Sequence, residues 1–357
     1  MRILQVASAL QDWGGIERYV LYLCDGLSAR GHRVHASVPK ASPLDTRLRC
    51  RKHPITLKRQ FSPLTLTPYL RLFKKIHYDV VHTHFSPDFV MPALAARLTR
   101  QPYVIMTRHV ALPWKPSQVR RYTKLYDHII CVSDATKRHL IESKVPDRML
   151  TVAKAGCPSL RPEKLREPVR AMMGIARGDF AIGVFGRLVK EKGVETMIAA
   201  HAHLPANVRI EIFGQGPQRE ELELLAAQAG AERVRFHGFV EGIDDCMNAM
   251  DCVAIPSTWE EAFPFAALEA LSLGKPLIVS NVGGLPELVQ HKRTGLLFEK
   301  GNAEELAKCV RHLQEIPNLK EAIQDAAKRA HRSDYTVDAM ASRIEEVYTS
   351  RPGARRR

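Results

Sequence analysis

Asp251-Cys-Val-Ala-Ile-Pro-Ser-Thr-Trp-Glu-Glu-Ala-Phe-Pro-Phe-Ala-Ala-Leu-Glu-Ala-Leu-Ser-Leu-Gly274 reads as a short buried strand, a loop, and a helix stopped by glycine. Two carboxylates stand eight positions apart in it. Glu261 falls on the loop and Glu269 about two turns further on, inside the helix. Between them the N–H groups of Phe263 and Phe265 lie near a helix start, where anions and oxygen-rich ligands bind well. Pro264 suits a first helical turn, where its missing N–H is no loss. Two acceptors for hydroxyls beside donors for oxyanions describe a cradle for a sugar nucleotide. The pair alone reads equally as two solvated helix charges.

The flanking sequence narrows the choice. Upstream, Phe185-Gly-Arg-Leu-Val-Lys-Glu-Lys-Gly193 predicts a strand end turning into a helix, from which Arg187 and Lys192 both reach a pyrophosphate. Downstream, Gly274-Lys-Pro-Leu-Ile-Val-Ser-Asn-Val-Gly-Gly-Leu-Pro-Glu287 predicts another strand and a Gly-Gly loop opening a helix. The first half adds Gly14-Gly-Ile-Glu-Arg18, Asp79-Val-Val-His-Thr-His84 and Cys131-Val-Ser-Asp134. In this order, over nearly the whole chain, the motifs resemble the retaining family-4 glycosyltransferases of the GT-B fold.

The resemblance implies an α/β chain of two Rossmann-like domains facing across a cleft. It implies transfer of a sugar, from a UDP-sugar before other nucleotides, to a lipid-linked or cell-surface polysaccharide acceptor. Residue by residue, Glu269 matches the ribose-binding glutamate, and Glu261 the one that touches donor-sugar hydroxyls. His109 matches the histidine that contacts the donor sugar, and Gly15 a glycine set against the donor diphosphate. Val240, in Phe236-His-Gly-Phe-Val240, matches where main-chain groups hold the base, although the stretch reads equally as a core strand. Gly14, Glu17 and Arg18 are candidates for the acceptor side; Glu17 and Arg18 also read as helix-capping and solvated charges. Two departures bear on the sugar pocket: Ala155-Gly-Cys-Pro158 replaces the family's Asn-Gly-Val-Asp, and Ala262 stands where glycine is usual.

Fixed cations at Arg187 and Lys192 take the role a divalent metal would otherwise play on a leaving diphosphate. No Asp-x-Asp triplet occurs, so a metal-independent enzyme is expected, with no cofactor beyond the nucleotide sugar as co-substrate. His82 and His84 are expected to point to opposite faces of their strand and not to share a metal. An epimerase of sugar nucleotides on the same architecture is the competing enzymatic reading.

A chain of 357 residues exceeds the usual size of one core. Boundaries are expected at 1–165, an acceptor-side domain, and 166–330, a nucleotide-sugar domain. A terminal helix over 331–350 would return to the first domain, and 351–357 would form a disordered basic tail. Between 155 and 168 the chain is rich in proline and charge, as interdomain connectors are. Strands are expected at Ile3–Ala7, Val34–Val38, Val80–His84, Tyr103–Met106 and Ile129–Ser133. The rhythm restarts at Ala181–Phe185, Arg209–Phe213, Arg235–His237, Cys252–Ile255 and Pro276–Ser280.

Charge is uneven. Residues 1–165 hold 28 Lys/Arg against 11 Asp/Glu, while 166–357 hold 25 against 27, so the first half carries the whole positive excess. That asymmetry implies an anionic partner. No helix-turn-helix, zinc finger or aromatic-studded sheet motif accompanies it, which argues against nucleic acid. No apolar run approaches the ~18 residues of a membrane span. The opening apolar stretch is broken too soon by Gln11-Asp12 for a signal peptide, and seven cysteines without a Cys-x-x-Cys pair fit reduced core thiols. The expected location is cytoplasmic, peripheral at the inner face of a membrane. Lys58-Arg59, Arg71, Lys74-Lys75, Arg97, Arg100, Lys115, Arg120-Arg121 and Lys124 are the cations proposed to meet it. They lie beside Phe61, Leu64, Leu66, Tyr69, Leu72, Phe73 and Trp114, with any amphipathic helix limited to Tyr69–Ile76. A basic wall for a phosphorylated acceptor is the alternative use of the same charges.

Overall fold

The computed structural model describes residues 1–8, 13–56 and 61–350. It divides into two compact units. One comprises Met1–Cys157 with the terminal stretch from Tyr335, the other Pro158–Asp334. The break thus falls ahead of residue 165, directly after Cys157. The basic tail 351–357, like Lys58-Arg59, lies outside the described residues.

The first unit holds seven parallel strands: β1 Arg2–Val6, β2 Arg33–Val38, β3 Arg51–Pro54, β4 Val80–Thr83, β5 Val104–Arg108, β6 His128–Cys131 and β7 Leu150–Val152. Their order across the sheet is β3-β2-β1-β4-β5-β6-β7. The second unit holds β8 Phe180–Phe185, β9 Val208–Phe213, β10 Val234–Gly238, β11 Cys252–Ile255, β12 Leu277–Ser280 and β13 Gly295–Phe298, in the order β10-β9-β8-β11-β12-β13. Every strand pair in both sheets is parallel. Central strands such as Phe180–Phe185 are buried throughout because helices cover both faces, and near-continuous apolar runs follow from that. Both units are Rossmann-like. In each, the strand order reverses once, between β1 and β4 and between β8 and β11. Open parallel sheets bind ligands beyond the carboxyl ends of the strands at such points.

The last described helix, Val337–Thr349, belongs to the first unit. A Cβ on Gly26 of the helix Gly15–Ala29 would come within 2.8 Å of Ala341 Cβ, so the two helices touch through small residues. Arg30 ties them further, to Asp338 at 2.8 Å and to Glu345 at 2.7 Å. The preceding helix, Leu319–Asp334, stays with the second unit.

One helix is longer than the sequence suggests. Pro63–Lys75 is helical throughout, with Pro63 in its first turn and Pro68 inside it, so the segment is not limited to Tyr69–Ile76. Thr65, Tyr69 and Phe73 bury one face, which holds the helix across Pro68 despite the missing hydrogen bond. Among the apolar residues beside the cations, Phe61 and Leu64 are exposed, whereas Tyr69, Phe73 and Trp114 are core.

Candidate functional site

Three loops leave the carboxyl ends of neighbouring strands in the second unit: Gly186–Gly193 after β8, Pro256–Pro264 after β11, and Asn281–Gly284 after β12. Short contacts brace them. Gly193 sits at φ 60°, and a Cβ there would come 2.2 Å from Pro256 O. Thr258 N–H donates to Glu191 O at 3.0 Å. On the other side Gly283 sits at φ 54°, where a Cβ would meet Glu261 O at 2.1 Å, and Gly284 N–H donates to the same oxygen at 2.6 Å. Only glycine permits both the left-handed turn and the close approach at these two positions.

The bracing brings Lys192 and Glu261 together. Lys192 Nζ donates to Glu261 Oε1 at 2.5 Å, and Ser257 Oγ donates to the same oxygen at 2.8 Å. Their side chains remain 28% and 16% exposed, so the pair is accessible to a ligand. Arg187, on the same turn, is exposed and makes no ion pair among the described residues. The turn therefore presents more positive than negative charge. Ser257 was not singled out from sequence. Its position at the end of an apolar strand, four residues before Glu261, is the one signal that could have found it.

Phe263 and Phe265 are buried, and the helix Phe265–Ser272 begins just after Pro264, which caps it. Glu269 lies about one turn inside this helix and is 3% exposed, so it is no solvated charge. Val240 sits in the loop after β10, two strands from β8 at the sheet edge, and is not among the braced loops.

The first unit carries the other candidates near its own reversal point. Gly14 and Gly15 open the helix Gly15–Ala29. Glu17 is buried, and its carboxylate accepts the Gly14 N–H at 3.0 Å, which is a capping contact. Arg18 N–H donates to Gly14 O at 3.2 Å and continues the helix. His109 follows β5. Tyr19 meets its ring edge-on at 4.6 Å between centroids, and His84 lies 5.8 Å away. Burial, and then the Arg108 charge, push the His109 imidazole down to about 3, so it is neutral at physiological pH.

The expected geometry of His82 and His84 is wrong. Their rings lie 4.2 Å apart on one side of the sheet, as residues two apart on a strand must. Both are buried, and burial holds both well below the usual histidine range. Among the described residues no group of three His, Cys, Asp or Glu is placed to hold a metal. No described helix is long and apolar enough to cross a membrane.

Residues 13–156 match Glycosyltransferase Family 4, and residues 166–330 match Glycosyl transferases group 1. An uncharacterized glycosyltransferase of Methanocaldococcus jannaschii is 27% identical over 369 residues, spanning 94% of each chain. The Escherichia coli UDP-Gal:alpha-D-GlcNAc-diphosphoundecaprenol alpha-1,3-galactosyltransferase is 29% identical over 66% of each chain. Among solved structures, Anabaena Alr3699/HepE in complex with UDP superposes with a TM-score of 0.87 at 24% identity. That likeness spans 98% of this chain and 100% of the other.

Proposed function

Because the chain belongs to the group 1 and family-4 glycosyltransferases of the GT-B fold, we propose that it moves a hexose from a UDP-sugar, with retention of configuration, to a lipid-linked or cell-surface polysaccharide acceptor. The observation that carries this reading is the braced turn with Lys192, Arg187 and Glu261 at the carboxyl ends of β8 and β11. A departing nucleoside diphosphate gains negative charge as the glycosidic bond breaks. Lys192 and Arg187 stabilise that charge without a divalent metal. Glu261 accepts hydrogen bonds from sugar hydroxyls, and Glu269 serves the ribose. His109, neutral, hydrogen-bonds the donor sugar rather than acting as a cation. The UDP bound in Alr3699/HepE supports the choice of nucleotide, and the diphosphoundecaprenol acceptor of the Escherichia coli relative supports a lipid-linked acceptor.

A lipid-linked acceptor brings the enzyme to a membrane surface. The outer face of the helix Pro63–Lys75 exposes Leu64, Arg71, Lys74 and Lys75, next to exposed Phe61. Arg121 lies over the Phe61 ring at 4.9 Å, so the neighbouring helix Pro116–Leu125, with exposed Arg120 and Lys124, adds to the same patch. Arg97 is instead committed to Asp127. Each cation near an anionic surface contributes about 1 kcal/mol, enough together for reversible docking.

Titration calorimetry with UDP, GDP and their sugars tests the reading. UDP-sugars should bind in the micromolar to millimolar range. Absence of binding by every nucleoside diphosphate at millimolar concentration overturns it. Failure to sediment with anionic vesicles at low salt removes the membrane part alone.

A further inference from the structure

Beneath the reversal point of the first sheet runs a row of buried side chains whose proton order follows from the orientation of the Gln5 amide. Gln5 Nε2 donates to Tyr348 Oη at 3.1 Å, which turns Gln5 Oε1 toward His84. His84 Nε2 lies 2.7 Å from that oxygen. An amide oxygen only accepts, so His84 carries its proton on Nε2 and leaves Nδ1 as a lone pair. In the other direction Tyr348, having accepted from Gln5, gives its own proton to His82 Nδ1 at 2.8 Å. His82 Nε2–H then donates to Thr107 Oγ1 at 2.7 Å. Gln5, His82, His84, Thr107 and Tyr348 are all buried; they come from β1, β4 and the residue that follows it, β5 and the last described helix.

The order ends on an unused acceptor. His84 is 1% exposed, and its Nδ1 is buried with no hydrogen-bond partner among the described residues. His109 Nε2, one ring away at 5.8 Å between centroids, is in the same condition. Leaving a buried polar nitrogen unsatisfied is costly, and two side by side at a strand-order reversal mark a ligand position rather than a core.

We propose that His84 Nδ1 is a fixed hydrogen-bond acceptor for a sugar hydroxyl, and that Gln5 and Tyr348 are positioning residues that lock His84 in the tautomer this requires. The proposal rests on the glycosyltransferase reading for its ligand, a sugar of the donor or acceptor, but the proton order does not. The terminal helix thereby acquires a role beyond packing, since its Tyr348 hydroxyl sets a proton two side chains away.

The test uses the full chain labelled with nitrogen-15 histidine. The wild type should show His84 as a single Nε2–H tautomer, and Tyr348→Phe should convert it to a mixture, because Gln5 is then free to turn over. A His84 protonated on Nδ1 in the wild type overturns the proposal. Two isosteres then separate the acceptor from the tether. His84→Asn places an oxygen where Nδ1 stood. His84→Gln keeps the bond to Gln5 and loses that acceptor. With UDP-glucose as probe and UDP as reference, His84→Gln should lose about ten-fold more of the sugar-dependent affinity than His84→Asn. Equal losses in the two variants, with equal drops in melting temperature, would mean a purely structural histidine and overturn the proposal. A wild type that binds neither UDP nor UDP-glucose defeats the functional reading instead, and leaves the tautomer result standing.

Discussion

Asp251 and Glu261 flank the same strand, β11, at opposite ends, and both meet cations, yet their surroundings differ in kind. At the amino end, both oxygens of Asp251 are taken. Oδ1 accepts from Arg166 at 2.8 Å and Lys320 at 2.9 Å; Oδ2 accepts from Arg170 at 3.1 Å and the Ala181 N–H at 2.9 Å. Arg170 spends its other donors on Ala249 O and Asp179 O. Nothing is left for a ligand. At the carboxyl end, one carboxylate faces Lys192 while Arg187 stays exposed. The lesson is that a charged pair points to function when a cation beside it, here Arg187, is committed to no carboxylate among the described residues and remains reachable. A buried, fully matched cluster points to folding.

The largest effect expected from this contrast is on stability at the Asp251 end. Asp251→Ala leaves the 3%-exposed Arg170 without its counter-ion, which should cost about 3–5 kcal/mol in denaturant unfolding. UDP affinity per folded molecule should not change. The acid limb gives a second reading. Burial alone would raise the Asp251 carboxyl, but Lys320, the Ala181 N–H and Arg166 outweigh it and hold it at about 2. That lies below the ~3.9 of an unfolded aspartate, so the contribution is complete above about pH 4 and lost as pH falls toward about 2. The variant should lack this acid-dependent loss. Wild-type stability in Asp251→Ala would break the comparison at once.

Lys192→Ala should show the reverse profile. Turnover of a UDP-sugar should fall by about 2–4 kcal/mol of transition-state stabilisation, on the order of a hundred-fold, with unfolding free energy changed by less than about 1 kcal/mol. A variant as unstable as Asp251→Ala, or one with normal turnover, would show that the turn is structural.

The central strands and the glycosyltransferase turn were legible in sequence because each is written locally. Apolar runs mark the strands, and Gly193, Gly283 and Gly284 mark the turns between them. The three strands that were not anticipated, β3, β7 and β13, are all edges of their sheets. For β3 the reason is its sequence, Arg-Lys-His-Pro, which has no apolar run and keeps a proline because one side of an edge strand needs no donors. The helix across Pro68 was missed because tertiary burial of Tyr69 and Phe73 overrides a local breaker. The proton order through Tyr348 was invisible for a different reason. It joins residues separated by up to 343 positions, and nothing in a local window reports such a contact.

The smallest effect is also the one that sharpens the contrast most. Glu261 shares Lys192 with any incoming diphosphate, because the carboxylate and the phosphate are both anions. Glu261→Gln removes the competing charge but keeps a carbonyl oxygen to accept from Ser257 and Lys192. A partly exposed ion pair is worth about 0–1 kcal/mol, so UDP should bind up to about five-fold tighter in the variant. Sugar transfer should fall at the same time, since glutamine is the weaker acceptor for sugar hydroxyls. Asp251→Asn, by contrast, should leave UDP affinity unchanged, because its cations are committed to carbonyls and packing away from the turn. Calorimetry on the two variants side by side decides the matter. Weaker UDP binding in Glu261→Gln would mean that Glu261 holds Lys192 in place rather than competing for it. The two ends of β11 would then differ only in exposure, and the surplus of cations at Arg187 alone would have to carry the diphosphate.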